Sequence, residues 1–184
     1  MQKIIIWKGL YYQSLEYCNI KVGNEQLEIA STILGIHEGK EYKIDYVTTL
    51  KPNWEMVGCR IESRLGESVN IQTLRYDGEG NWTNNGKPMN ECKGCIDIDI
   101  SLTPFTNSLP INRLQLQVNE VQYIKVLYID ILGRTIRSVV QQYTKISDHK
   151  YQYENVPNDF EAMITVDEWG IVTEYPGLFV RLNA

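Results

Sequence analysis

The strongest constraint on how this chain folds is a pattern of short alternating runs that recurs about every ten residues, each closed by residues that turn a backbone. Gly39 to Leu50 sets Tyr42, Ile44 and Tyr46 against Lys43, Asp45 and Val47, and Val69 to Tyr76 sets Ile71 and Thr73 against Gln72 and Leu74. A period of two places alternate side chains on opposite faces of an extended backbone, so each run reads as a strand. Further runs occupy Val121 to Ile131, Thr135 to Tyr143, Lys150 to Val156 and Phe160 to Val166. Between them stand Asp77-Gly78-Glu79-Gly80, Leu132-Gly133, Ser147-Asp148, Pro157-Asn158-Asp159 and Asp167-Glu168-Trp169-Gly170, all rich in turn-forming residues. One helical suggestion, Asn24 to Leu34, fits a strand and loop equally well. Strands so spaced belong to a sandwich, a barrel or a roll of antiparallel strands. With no linker, repeat or second core pattern, residues 1–184 read as a single all-β domain with at most one or two short helices. A chain of 184 residues buries roughly 70% of its unfolded surface, enough for a sizeable core.

The most informative stretch is Cys92 to Leu116. Cys95, Asp97, Asp99 and Ser101 fall on one face of a strand and Ile96, Ile98, Ile100 and Leu102 on the other. Two carboxylates at i and i+2 then lie about 6.5 to 7 Å apart and point the same way, which calls for water, a cation or a ligand beside them. Thr103-Pro104-Phe105-Thr106-Asn107-Ser108-Leu109-Pro110 follows, with two prolines bracketing hydroxyl and amide side chains that can bond their own backbone. Leu114, Leu116 and Val118 then share a face, so the segment reads as strand, rigid polar corner, strand. Asp97 and Asp99 are candidates to bind sugar hydroxyls or to serve as acid and base, with Arg113 near enough to pair with one of them. Inverting glycosidases need two carboxyl groups flanking a bond from opposite sides, which neighbours on one strand face supply poorly. Thr103, Thr106 and Asn107 offer more donors and acceptors than two turns require, and with the aspartates they form the expected headgroup contact.

Tyr123, Tyr128, Tyr143 and Tyr151, with Trp54, Trp82 and Trp169, supply rings that either fill a core or line a concave face. Tyr175 opens the turn Tyr175-Pro176-Gly177-Leu178, which closes the sheet or stands at a ligand rim. Cys92 and Cys95 form a C-x-x-C pair, but Cys18 and Cys59 make no second zinc knuckle, and the pair opens a strand where a redox motif would open a helix. Reduced thiols are expected. His37 and His149 have no partner motif, and no nucleophile elbow, metalloprotease motif or phosphate-cradling loop is present. No cofactor and no metal site are expected.

Net charge is −5 with a sequence pI of about 5.1, and the basic residues are scattered, which argues against nucleic acid and against docking on anionic membranes. No segment approaches the ~20 apolar residues of a membrane span. The apolar run at Ile4-Ile5-Ile6 is cut short by Lys8 and makes a poor signal peptide, so the expected location is the cytoplasm. The remaining partner class is a small molecule or another protein.

The block G-C-I-D-I-D-I-S-L-T-P-F-T-N-S-L-P-I-N-R-L, Gly94 to Leu114, resembles the signature of a bacterial family named for glycolipid binding and long known only as a domain of unknown function. Glu16, Tyr46 and Trp54 in I-D-Y-V-T-T-L-K-P-N-W, D-G-E-G-N-W at Asp77 to Trp82, and V-D-E-W-G-I-V-T-E-Y-P-G-L-F-V-R at Val166 to Arg181 line up in the same order. The resemblance implies a single curled antiparallel sheet, a spiral β-roll similar in shape to the carriers that ferry lipoproteins across the bacterial periplasm. That name rests on shape, a fold-level analogy. The expected function is binding of an amphiphile, a glycolipid among the options, without turnover. Its contacts are expected from Trp54, Trp82, Asp97, Asp99, Thr103, Thr106, Asn107, Arg113 and Tyr175. The competing readings are a hydrolase or isomerase working through Asp97 and Asp99, and a homo-oligomeric scaffold such as a homodimer.

Overall fold

A computed structural model describes residues 2–183. The first eight strands, β1 (Gln2–Gly9), β2 (Ser14–Val22), β3 (Leu27–His37), β4 (Lys40–Leu50), β5 (Met56–Leu65), β6 (Ser68–Tyr76), β7 (Trp82–Asn84) and β8 (Lys87–Pro88), form a meander in which each pairs antiparallel with the next. The chain then reappears at the far margin of the same sheet as β9 (Asp97–Ile100). From there β10 (Val121–Asp130), β11 (Thr135–Ser147), β12 (Lys150–Val156), β13 (Glu161–Val166), β14 (Val172–Tyr175) and β15 (Phe179–Arg181) meander back. The circuit ends where β15 lies against β1, with Trp7 opposite Arg181 and Gly9 opposite Phe179.

Geometry requires this sheet to curl. Fifteen strands spaced by about 4.8 Å would span about 67 Å if laid flat. Residues 89–96, which connect the two margins, reach at most about 32 Å even when fully extended. The connection touches both sides: Gly94 N–H donates to Gly80 O at 2.8 Å near β7, and Ile96 N–H to Lys125 O at 3.2 Å on β10. The sheet is therefore one rolled, unclosed layer.

Alternation decides which face turns inward. On β3 and β4, Ile29, Ile33, Ile44 and Tyr46 are buried while Leu34, Ile36 and Val47 face out. The interior holds two apolar clusters. One gathers Trp7, Ile29, Ile44, Ile61, Trp82 and Phe105, and the other Tyr143, Tyr153, Ile164, Val172 and Phe179, with Tyr12 packed against both.

Two sequence expectations are corrected here. The stretch after the polar corner is not a second strand. A 3-10 turn (Phe105–Asn107) runs directly into helix α1 (Ser108–Leu114), which buries Leu109 and Ile111. Pro110 sits in the first helical turn, where its missing N–H costs no hydrogen bond, and Gln115 ends the helix at φ 49°. The Leu114, Leu116, Val118 spacing belongs to a helix end and loop, with Leu116 buried and Val118 exposed. The second correction is that β9 pairs parallel with β10, Asp97 opposite Val126 and Asp99 opposite Tyr128. A parallel neighbour needs a crossover, and the corner plus α1 provides it. Asn24 to Leu34 resolves as a loop followed by the first part of β3, which begins at Leu27.

Candidate functional site

Where the roll leaves its interior unfilled, a cavity of about 380 Å³ opens between the end of β9, strands β10 to β12 and the turns that join β1 to β2 and β14 to β15. This is in the lower part of the ~300–1,000 Å³ range of small-molecule sites. Its lining combines the polar side chains of Asp99, Ser101, Thr103, Asn107 and Gln141 with the rings of Tyr12, Tyr153, Phe160, Tyr175 and Phe179. The rings form a continuous surface: Tyr12 stacks on Phe179 at 5.7 Å, Tyr175 meets Phe179 at 6.3 Å, and Tyr153 meets Tyr175 at 6.0 Å and Phe160 at 6.2 Å. Arg137 lies over the Tyr128 ring at 5.4 Å on the same lining.

Asp99 faces this space because β9 alternates Asp97 and Asp99 inward against the parallel edge of β10. Thr106 Oγ1 donates to its Oδ1 at 3.2 Å and Gln141 Nε2 to its Oδ2 at 2.6 Å. Burial pushes the Asp99 carboxyl above its ordinary value, opposed by those two hydrogen bonds. Burial also raises the phenols of Tyr12, Tyr128, Tyr143, Tyr153 and Tyr175, and for each of them the charge of Asp99 adds to the rise; Tyr128 is pushed up to about 12. Tyr143 donates its hydroxyl to Asn107 Oδ1 at 3.0 Å and so fixes that amide.

Asp97 is differently placed. Arg113 on α1 clamps it, Nε to Oδ1 at 3.0 Å and NH2 to Oδ2 at 2.7 Å. Burial raises Asp97 and Arg113 pulls it back, while the carboxylate raises Arg113, so the pair stays ionised. Its two oxygens are occupied, and Asp97 is not on the cavity lining.

Behind Thr103 lies a second polar cluster. Glu16 Oε1 accepts from Ser31 Oγ at 2.7 Å, Tyr46 OH at 2.7 Å and Thr103 Oγ1 at 3.0 Å. Oε2 meets no donor among the described residues. Burial lifts the Glu16 carboxyl to about 7 despite the three hydrogen bonds. Thr103 thus touches the cavity on one side and a buried carboxyl group on the other.

Of the residues singled out from sequence, the fold brings Asp99, Thr103, Asn107 and Tyr175 to the cavity. Thr106 stands one step back, orienting Asp99 and accepting Ile100 N–H at 3.2 Å. Arg113 serves Asp97. Trp82 is buried in the core with its indole donating to Cys95 O at 2.9 Å, and Trp54 packs on the same core from the β4–β5 turn at φ 67°. Cys92 and Cys95 are buried free thiols. Among the other rings, Tyr128 lines the cavity while Tyr123 and Trp169 are exposed. Tyr12, Arg137, Gln141, Tyr153 and Phe160 escaped the sequence reading. The alternation of Arg137, Val139, Gln141 and Tyr143 on one face of β11 carried a signal for two of them.

The model of a family described as "Putative glycolipid-binding" matches residues 4–181. Among solved structures, a DUF1089 family protein from Pseudomonas aeruginosa is similar, at 34% identity over 92% of each chain with a TM-score of 0.83. No curated protein matches the chain. Among the described residues, no helix is long and apolar enough to cross a membrane.

Proposed function

The chain belongs to this glycolipid-binding family, and from that premise we propose that the cavity holds the headgroup and first chain segment of an amphiphile, a glycolipid being the class that fits best. The observation that carries this reading is one cavity lined both by polar side chains and by a run of touching aromatic rings. Carboxylate, amide and hydroxyl groups at Asp99, Asn107 and Thr103 suit sugar hydroxyls, and the face formed by Tyr12, Tyr153, Tyr175 and Phe179 suits a sugar's apolar side or an acyl chain. At about 380 Å³ the space takes a headgroup and a short length of chain, leaving the rest of a lipid outside.

The placement of the carboxylates supports binding over two-carboxylate glycoside hydrolysis. A two-carboxylate mechanism needs groups on opposite sides of a bond, whereas Asp97 shares the strand face of Asp99 and is clamped by Arg113.

The test is native mass spectrometry of the protein purified from its own host, with organic extraction of what it retains, beside a Val139→Trp variant that fills the cavity. An extracted amphiphile that the variant lacks is the expected result. No retained amphiphile, together with no thermal shift across a lipid panel, would overturn the reading.

A further inference from the structure

Asp99 has an unusual set of neighbours. Its hydrogen-bond partners are two neutral donors, Thr106 and Gln141. Among the described residues it takes part in no ion pair with a lysine, arginine or histidine, unlike Asp97 one step along the strand face. Around it stand the rings of Tyr12, Tyr128, Tyr153 and Tyr175, all on the lining of the same cavity. Ring faces carry negative charge density and attract cations, most strongly where water is excluded.

The lining as a whole leans the same way. Its charged groups are the carboxylates of Asp99 and Asp159 against the single guanidinium of Arg137. That guanidinium is not paired with Asp99 but sits over the Tyr128 ring, so one edge of the cavity already holds a positive group against an aromatic face. A half-buried carboxylate that faces the cavity without a counter-ion, among phenol rings, is costly to keep ionised and gains most from a cation that arrives with the ligand.

We propose that the cavity selects amphiphiles whose headgroup carries a positive charge, an amine or quaternary ammonium that sits between Asp99 and the tyrosine rings. An amino-sugar glycolipid is one carrier of that chemistry and a simple alkylammonium another. The inference deepens the binding function proposed above and rests on it. Asp99 supplies the charge, the rings supply the enclosing face, and Gln141 and Thr106 hold the carboxylate in place for the incoming group.

The test compares octyl 2-amino-2-deoxy-β-D-glucopyranoside, octyl β-D-glucopyranoside, octyltrimethylammonium and octyl sulfate, all below their micelle concentrations, by calorimetric titration of the full chain. The expected result is that the amino sugar binds about tenfold more tightly than its neutral counterpart, which differs by a single ammonium. Octyl sulfate should be the weakest of the four. In Asp99→Asn, affinity for the amino sugar should fall about thirtyfold, whereas affinity for the neutral glucoside, which loses one hydroxyl acceptor but no charge partner, should fall only about threefold. If octyltrimethylammonium matches the amino sugar, charge is what is read; if it is weaker yet still exceeds octyl sulfate, sugar contacts add to the charge. Equal binding of the charged and neutral glucosides, or tighter binding of the sulfate, overturns the selectivity while leaving the binding function standing. Failure of all four probes overturns both. The wild-type comparison decides the matter even if the Asp99→Asn protein does not fold.

Discussion

A carboxyl group as deeply buried as Glu16 keeps its proton to a higher pH than it would in water, and this gives stability a definite slope with pH. The unfolded chain ionises this group near 4.5 and the folded chain near 7. Between those values the folded state binds the proton that the unfolded state releases, so this group's contribution to stability is fully present below pH 4.5 and is lost as pH rises through 7. A shift of this size corresponds to about 3 kcal/mol. Denaturant midpoints measured from pH 5 to pH 8 should fall in the wild type and fall much less in Glu16→Gln. Parallel slopes in the two proteins would refute the assignment. The Asp97 and Arg113 pair makes a second residue-scale prediction. Arg113→Ala strands a buried carboxylate and should cost roughly 3–5 kcal/mol of unfolding free energy, read from urea denaturation. Alternation in the sequence placed Asp97 and Asp99 on a common face correctly. The expected pairing of Arg113 with one of them is met at Asp97, but nothing in the sequence said which aspartate it would choose or that the other would be left to a cavity. Nor could it join Glu16 to Thr103, which meet only because β2 and the corner face each other across the roll.

At the scale of elements, the corner supplies Thr103 and Asn107 to the cavity lining and continues directly into α1. The corner holds itself together with its own hydroxyls: Thr103 Oγ1 accepts Phe105 N–H at 3.0 Å, and Ser108 Oγ accepts Val172 N–H at 3.2 Å, tying α1 to β14. Leu109, fully buried on α1, anchors the helix in the larger apolar cluster. Leu109→Ala should cost about 2–5 kcal/mol, seen as a lowered melting temperature in calorimetry. Gln115 adopts a left-handed backbone at the helix end, so Gln115→Gly should stabilise by about 0.5–1 kcal/mol; a loss of stability would mean its side chain matters more than its backbone. The long strands were legible because a period of two is written into each. The helix was not. Seven residues are too few for a helical period to stand out, and Leu114, Leu116 and Val118 imitate a strand by chance. The parallel pairing of β9 was hidden as well, since nothing in four residues specifies the direction of a neighbour.

For the molecule as a whole, the first and last strands are central to the sheet, paired with each other between the two meanders. Deleting residues 179–184 would remove that seam and also Phe179 from the cavity wall. The shortened chain should lose single-step unfolding in calorimetry, showing two transitions or none, whereas trimming only Ala184 should leave the profile unchanged. The all-β class was readable from the spacing of runs and turns, because each turn announces itself in glycine, proline, asparagine or aspartate. The curl was implied by resemblance alone, since it depends on the reach of eight residues from one margin to the other, and no local pattern records that. The two free margins have one more consequence. β8 is only two residues long and ends in Pro88, which has no amide hydrogen to offer, and β9 is four residues long with the N–H of Ile100 already taken by Thr106. Rims this short, one of them ending in a residue without an amide hydrogen, are poor templates for a neighbouring molecule's strand, which favours a shell that stays unsealed in a crowded solution without seeding fibrils.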